Sequence, residues 1–271
     1  MPSFSVLMSV YNKENPIYFR QALDSVFSQT RIPDEVVIVK DGPLSRELDD
    51  VIAEYCKRYD SIVIVPQEEN RGLGLSLANG VLHCSNELIA RMDTDDISRS
   101  DRFERQLNEF HRDPDLDICG SHELEFEETP DQIVARRRVP LTNEECREYQ
   151  KRRDAFNHVT VMFKKTTVLR AGNYRHCPLM EDSLLWVNMF KNGAKGKNID
   201  DYLVNVRIGK GMYERRGGIS YFRKYKQGRK MIYDTGYISW WDYVYTLAVQ
   251  FVVAILPNCI RGWVFKKLLH N

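Results

Sequence analysis

The sequence predicts an α/β fold: a mostly parallel central sheet flanked by helices, with a helical appendage at its C-terminal end. Three observations predict it. Through the first 92 residues, apolar runs without polar alternation recur, each followed by apolar residues at helical spacing. That is the pattern of strands buried on both faces within βα units. A composition of 43% hydrophobic and 28% charged residues over 271 positions is that of a folded globular chain and excludes disorder as the main state. Charge is also unevenly divided. Residues 205–271 hold 12 Lys or Arg against 3 Asp or Glu and so carry +9, and the overall +1 leaves −8 for residues 1–204.

The elements follow in order. Residues 4–10 form a short strand rich in β-branched residues, and Asn15-Pro16 supplies an N-cap and an N1 proline for a helix burying Phe19, Leu23, Val26 and Phe27. Residues 35–40 are the second strand, and a helix over 45–59 carries Leu48, Ile52 and Tyr55 on one face. A strand at 61–66, a helix at 74–83 and a strand at 88–92 complete the repeat. Ligands bind at the carboxyl ends of such strands, here residues 9–12, 40–42, 68–72 and 92–96. Beyond them the rhythm changes. Expected are a helix over 99–111 stopped by Asp113-Pro114, a strand at 116–119, a polar helix at 143–153 and a strand at 158–163. A helix entered at Glu181-Asp182 then buries Leu185, Trp186, Met189 and Phe190 and ends at Asn192-Gly193.

Asp93-Thr94-Asp95-Asp96 places three carboxylates in four residues at a strand end. Mutual repulsion is relieved by a hard divalent cation, Mn²⁺ or Mg²⁺, which fills its sphere with few carboxylates and so calls for a nucleotide diphosphate as co-ligand. Helix capping is the alternative, and it explains one or two of the three. Other signals are negative. The six cysteines show no C-x-x-C pair, so neither zinc nor a disulfide framework is indicated and a reducing compartment fits. The first residues lack a basic region followed by an apolar stretch, and the expectation is a cytoplasmic protein. Gly72-Leu-Gly74 fails as a dinucleotide fingerprint, because Leu77 stands where the third glycine belongs. His158 and His176 have no acidic partner at ligand spacing and read as core or surface residues.

Taken together, Ser-Val-Leu-Met-Ser-Val-Tyr-Asn near the N-terminus, Val-Ile-Val-Lys-Asp-Gly at 37–42, Asn70-x-Gly72 with Ala78-Asn79-x-Gly, Asp93-x-Asp95-Asp96 and Glu181-Asp182-x-x-Leu-Trp resemble the family 2 glycosyltransferases. The resemblance covers residues 4 to about 210. It implies a nucleotide-diphospho-sugar transferase fold of the glycosyltransferase A type, a divalent metal and inversion at the transferred carbon. Matched to its motifs, Ser9, Tyr11, Asp41, Asp93 and Asp95 serve the nucleotide, Asp95 and Asp96 the metal, and Asp182 with Glu181 the catalysis. Arg71, after the third strand at the ligand edge, either pairs with a phosphate or the uracil ring as a nucleotide-binding residue or is a surface arginine. Tyr11 offers a ring for stacking on a base, and Asp41 an acceptor for the imide N–H of uracil. Asp93 contacts the ribose or shapes its turn. Asp182 is the general base facing the acceptor hydroxyl. Trp186 packs beneath the site, and Arg207 and Lys210 reach toward a diphosphate. The chain departs from the family at Lys40, where Asp is usual, and it lacks the Gln-x-x-Arg-Trp signature of processive members, so one sugar per encounter is expected.

Nine basic residues between Arg207 and Lys230, with Glu214 the only acid, suit an anionic surface or a solvated helix face. Residues 243–260 carry no charge, and the segment 238–269 reads as lying on a membrane surface, with a buried helical pair as the alternative. The expected organisation is a nucleotide-sugar-binding catalytic unit over 1–210 and a basic, aromatic helical segment over 211–271. The expected activity is transfer of a hexose from a nucleotide-diphosphate sugar, UDP-linked, to a polyprenyl-diphosphate-linked saccharide. The setting is assembly of capsule, exopolysaccharide or O-antigen at the inner face of the cell membrane. Two rivals are a nucleotidylyltransferase, which lacks its Gly-rich loop here, and a non-catalytic module stacking nucleic acid on Tyr213, Tyr221, Phe222 and Tyr225.

Overall fold

The computed structural model describes residues 2–209 and 217–256. In chain order the elements are β1 (Phe4–Val10), α1 (Pro16–Phe27), β2 (Glu35–Lys40), α2 (Arg46–Arg58), β3 (Ile62–Pro66), α3 (Leu73–His83), β4 (Leu88–Arg91), β5 (Ile97–Ser98) and α4 (Arg102–Arg112). They continue with β6 (Ile118–Phe126), β7 (Ile133–Arg137), α5 (Asn143–Tyr149), β8 (Met162–Lys164), α6 (Lys165–Arg170), α7 (Glu181–Lys191) and β9 (Gly196–Arg207), then α8 (Gly218–Asp234) and α9 (Trp240–Ile255).

The βα repeat forms as its sequence dictates. The Asn15 side chain accepts the amides of Ile17 and Tyr18, and Pro16, which has no amide to satisfy, opens α1. β1 pairs in parallel with β2 and β4, and β2 with β3. One sheet of the described residues runs β3-β2-β1-β4-β8-β6-β9-β5, with β7 on the edge of β6. Because successive side chains point to opposite faces, Phe4, Val6 and Met8 of β1 pack with Phe19, Leu23, Ile52 and Phe103. Leu7 packs on the other face with Val39, Leu77 and Trp186. A smaller cluster joins Met180, Leu184 and Val187 of α7 to Ile232 and Ile238 of the C-terminal helices.

Four expectations are corrected. β6 starts at Ile118, not 116, and runs to Phe126, far beyond 119. Its middle is polar, so apolar patterning misses it, yet it pairs with β7, β8 and β9. The strand expected over 158–163 is a 3-10 turn, His158–Thr160, followed by β8. Thr160 Oγ1 donates to Asn157 O at 2.8 Å and accepts the Ser121 amide at 3.0 Å, so a local hydrogen bond defeats the ladder there. α4 begins at Arg102, because Ile97 and Ser98 are drawn into pairing with β9. α5 ends at Tyr149, releasing residues 150–155 as a loop.

Candidate active site

The carboxyl ends of β1, β2 and β4 converge as the topology requires. At β1, Ser9 is half-buried and Tyr11 is 36% exposed, which rules out a core aromatic. After β2, Gly42 adopts φ +84°, and a Cβ there would stand 2.7 Å from the Asn70 amide nitrogen, so only glycine lets the two loops touch. Asp41, 4% exposed, fastens them: Oδ1 accepts the Arg71 amide at 2.6 Å and Oδ2 the Gly72 amide at 3.1 Å. Lys40, the departure from the family pattern, is held by Asp49 of α2 at 2.6 Å. The Arg71 side chain is exposed at this edge.

Asp93, Asp95 and Asp96 each place a carboxylate oxygen within 4.8 Å of the others. Asp93 pairs with Arg91, which is 2% exposed. Asp96 is also 2% exposed, and its Oδ1 accepts the Arg207 amide at 2.7 Å. Burial, then repulsion from Asp93, pushes the Asp95 carboxyl up to about 6. Burial followed by Asp93 and Asp95 raises Asp96 well above the carboxylate range. Carboxylates this close and this reluctant to ionise together fit a hard divalent cation.

Glu14, in the loop after β1, was not legible as a site residue. Burial, then Asp95 and Asp93, raises its carboxyl to about 7, so a fourth acid faces the cluster. Arg207 does not extend toward a diphosphate. Its Nε donates to Asp95 O at 3.1 Å, Nη1 to Glu128 O at 3.1 Å and Nη2 to Gln21 Oε1 at 2.7 Å. With its guanidinium also against the Tyr18 ring at 3.8 Å, Arg207 shapes the acidic loop. Lys210 and Tyr213 lie outside the described residues.

A cavity of about 910 Å³ brings Asp93 and Asp96 together with Asp182, residues 86 or more positions apart in sequence. Ser9, Tyr11, Asp41 and Arg71 sit at the strand edge outside its lining; Asp95, in the acidic loop, and Glu181, in the first turn of α7, are outside the lining too. Glu181 and Asp182 open α7, but Met180 is the N-cap and neither acid occupies that position. Asp182 Oδ1 accepts the Ser183 amide at 2.8 Å. Burial, then Asp154 and Glu181, pushes the Asp182 carboxyl up to about 8. Glu181 is raised as well, chiefly by burial, and its Cβ is the neighbour that a side chain at Gly74 would meet at 3.0 Å.

His158 is not an idle core residue, as its sequence context suggests. Nδ1 lies 3.9 Å from Asp182 Oδ2, and Nε2 is 2.9 Å from the Tyr174 hydroxyl. Burial, then the Arg91 charge, holds the ring neutral. His176 is exposed. Trp186 is 1% exposed and meets the His158 ring edge-on at 5.9 Å between centroids, beneath the site as expected.

The C-terminal helices close this side. Arg229, from the basic run, is 3% exposed and donates to Thr246 Oγ1 and Lys151 O, so it is neither solvated nor offered to an anionic surface. α9 is not a buried helix: Trp241 is 72% exposed, and Tyr245, Val249, Val252 and Ile255 share its outer face. No helix among the described residues is long and apolar enough to cross a membrane. Residues 257–271, the end of the expected surface segment, lie outside the described residues.

The profile described as Glycosyl transferase family 2 matches residues 5–176. The chain is 38% identical over 270 residues to the UDP-Gal:alpha-D-GlcNAc-diphosphoundecaprenol beta-1,3-galactosyltransferase of Escherichia coli, covering 100% of this chain and 98% of that protein. It is 34% identical to the amylovoran biosynthesis glycosyltransferase AmsE of Erwinia amylovora, over 97% of this chain and 98% of the other. Among solved structures, a mannosyltransferase from Pyrobaculum calidifontis in complex with GDP-Man and Mn²⁺ superposes with a TM-score of 0.65 at 15% identity, covering 99% of this chain and 82% of that one. This last likeness is one of fold.

Proposed function

The chain belongs to glycosyl transferase family 2, and from that membership we propose that it is an inverting hexosyltransferase. It moves a hexose from a UDP-linked donor to a saccharide carried on a polyprenyl diphosphate, in the assembly of a surface polysaccharide. The observation that carries this reading is the cavity that opens Asp93 and Asp96 of the acidic cluster and Asp182 onto one space. The full-length likeness to an E. coli enzyme named for a diphosphoundecaprenol-linked acceptor supports the choice of acceptor.

In this reading the donor lies along the carboxyl ends of β1 and β2, with its base near Tyr11 and Asp41. Asp93 meets its ribose or shapes the turn there, and its diphosphate lies with the cation at Asp95 and Asp96. Asp95 and Asp96 hold Mn²⁺ or Mg²⁺, which when bound neutralises the charge growing on the leaving diphosphate. Asp182 takes the proton of the acceptor hydroxyl as that oxygen bonds to the anomeric carbon and the carbon–phosphate oxygen bond breaks, releasing UDP. Attack from the face opposite the diphosphate inverts the centre, and no covalent enzyme intermediate forms. Glu181 hydrogen-bonds the acceptor. Residues 1–210 form the catalytic unit, and residues 211–271 lay the outer face of α9 on the inner surface of the cell membrane, where such an acceptor is found.

The test is hexose transfer from UDP-hexoses, with Mn²⁺, to a diphospholipid-linked saccharide. It should be lost in Asp96→Asn and Asp182→Asn. Transfer that survives Asp182→Asn refutes the assignment of the base. Salt-sensitive oligonucleotide binding that survives both substitutions, with no transfer by the parent protein, replaces the enzyme with a nucleic-acid module.

A further inference from the structure

We propose that Arg153 and Lys224 form a subsite for the diphosphate of the acceptor, on the wall of the cavity beside Asp182. The proposal rests on the transferase reading, and it adds to that reading the part of the protein that recognises the acceptor's lipid-linked end.

Both side chains line the same cavity as Asp182. They differ from the other cations there. Arg152 is spent on Asp242 at 2.6 Å, Arg137 faces Glu123 at 3.8 Å, and Arg229 donates to Thr246 and Lys151. Among the described residues neither Arg153 nor Lys224 has an acidic partner, and Arg153 only lies over the Tyr149 ring at 5.5 Å. Both are exposed, so water solvates them until an anionic group of a ligand takes its place, and a guanidinium and an ammonium on the lining of one cavity suit two linked phosphates.

The loop bearing Arg153 is fixed to the base. Gln150 Nε2 donates to Ser183 Oγ at 3.0 Å, next to Asp182, and Gln150 Oε1 accepts the Ala155 amide at 2.9 Å. From the other side Asp242 of α9 holds Arg152, and Arg229 of α8 holds the Lys151 carbonyl. Arg153 is thus carried on a segment clamped between α7 and the C-terminal helices. Gly217, the N-cap of α8, and Ser220 in its first turn border the same wall, and among the described residues no side chain caps that helix end, so its N-terminal dipole adds to the positive field.

Position decides which diphosphate is meant. The donor's belongs with the acidic cluster. In the acceptor, the diphosphate is one sugar ring away from the hydroxyl that Asp182 deprotonates, on the side where α8 and α9 form the wall. Gln250 of α9 lines the cavity, while the opposite face of that helix exposes Trp241, Tyr245 and Val252. An acceptor with its sugar at Asp182 and its phosphates at Arg153 and Lys224 sends its lipid chain toward that apolar face.

The experiment is calorimetric binding, to the full chain, of decyl diphospho-N-acetylglucosamine and of decyl N-acetylglucosaminide, which lacks the phosphates. The parent protein should prefer the first by about 30-fold or more. Arg153→Gln and Lys224→Gln should each cost about tenfold toward it alone, and the double substitution should abolish the preference. UDP affinity with Mn²⁺ should stay within twofold throughout, which shows that the donor side is intact. Equal affinity of the parent protein for both compounds, or a preference undiminished in the double variant, overturns the proposal. So does inorganic pyrophosphate binding as tightly as the lipid-linked compound, which marks a free-anion site. Transfer is assayed separately. Preference without transfer refutes the transferase reading and leaves the subsite standing. Transfer whose acceptor KM ignores both substitutions refutes the subsite alone.

Discussion

The His158 imidazole stands behind the Asp182 carboxyl, with Nδ1 3.9 Å from Oδ2 and its other nitrogen 2.9 Å from the Tyr174 hydroxyl. The pair differs from a hydrolase dyad because burial and Arg91 keep the ring neutral, so no imidazolium draws the carboxyl down. Asp182 therefore stays at about 8, raised by burial, Asp154 and Glu181. A general base works only when deprotonated. Expected is a kcat/KM for the acceptor that rises about tenfold per pH unit below 8 and levels above it. A rate independent of pH between 6 and 9, with chemistry limiting, removes Asp182 from the role.

The same shift makes Asp182 a stability liability. Its folded pKa lies above its unfolded value, so its contribution is fully present below about pH 4 and is lost as pH rises through about 8. Asp182→Asn should therefore melt higher than the parent protein at pH 8.5 and lose that advantage at pH 4. Each kcal/mol gained appears as about 2–4 °C in a chain of this size. Equal melting temperatures at both values would show that the carboxyl is not electrostatically strained.

Cation binding should follow the acidic cluster. At pH 7.5, Mn²⁺ at 100 times its Kd stabilises the protein by about 2.7 kcal/mol, and Asp95→Asn should abolish the thermal shift. Because Asp95 titrates at about 6 and a ligand must be deprotonated to bind metal, the shift should fade below pH 6. Without metal the sign reverses for Asp96→Asn: removing one of three crowded carboxylates should raise the melting temperature at pH 8. A Mn²⁺ response unchanged in Asp95→Asn would contradict the metal assignment.

How much of this was legible depended on distance along the chain. The first four strands and three helices could be read to within about two residues, because each announces itself locally: apolar runs for β1 and β2, Asn15-Pro16 for α1, Ser45 capping α2. β6 could not, since Ser121, His122, Glu123 and Glu125 are buried within it. Long-range partners satisfy these polar groups: His122 Nε2 meets Asp200 at 3.1 Å, and the Val139 amide donates to His122 Nδ1 at 3.2 Å. Among the site residues, Asp93–Asp96 and Glu181-Asp182 carry dense local signals. Glu14, His158 and Arg153 do not, because each acquires its role from a neighbour that only the folded chain supplies.

Gly74 tests the positioning of Glu181. A methyl group there meets Glu181 Cβ at 3.0 Å and Arg175 O at 3.1 Å, and α3 cannot yield without disturbing Leu77 in the core. Gly74→Ala must push Glu181 Cβ or the Arg175 carbonyl back by a few tenths of an ångström, while alanine's helix preference offsets part of that cost. If Glu181 hydrogen-bonds the acceptor as proposed, the variant should also lower kcat while leaving the KM for the nucleotide sugar unchanged. A variant that loses donor affinity and keeps kcat would place Glu181 with the donor.

Membrane attachment is best tested on the outer face of α9. Deleting 238–271 removes the Asp242 and Thr246 contacts to Arg152 and Arg229 as well, so loss of flotation there would report on packing as much as on lipid. Trp241 and Val252 are free of that burden, being 72% and 53% exposed on one stripe. Each apolar side chain withdrawn from water contributes about 1.5–3 kcal/mol, so replacing both with Asp removes several kcal/mol and adds repulsion from anionic headgroups. The parent protein should float with phosphatidylglycerol-containing liposomes. The Trp241→Asp, Val252→Asp variant should remain at the bottom of the gradient with an unchanged melting temperature and unchanged transfer to a short-chain, water-soluble acceptor. If the double variant floats like its parent, α9 does not hold the protein to the membrane.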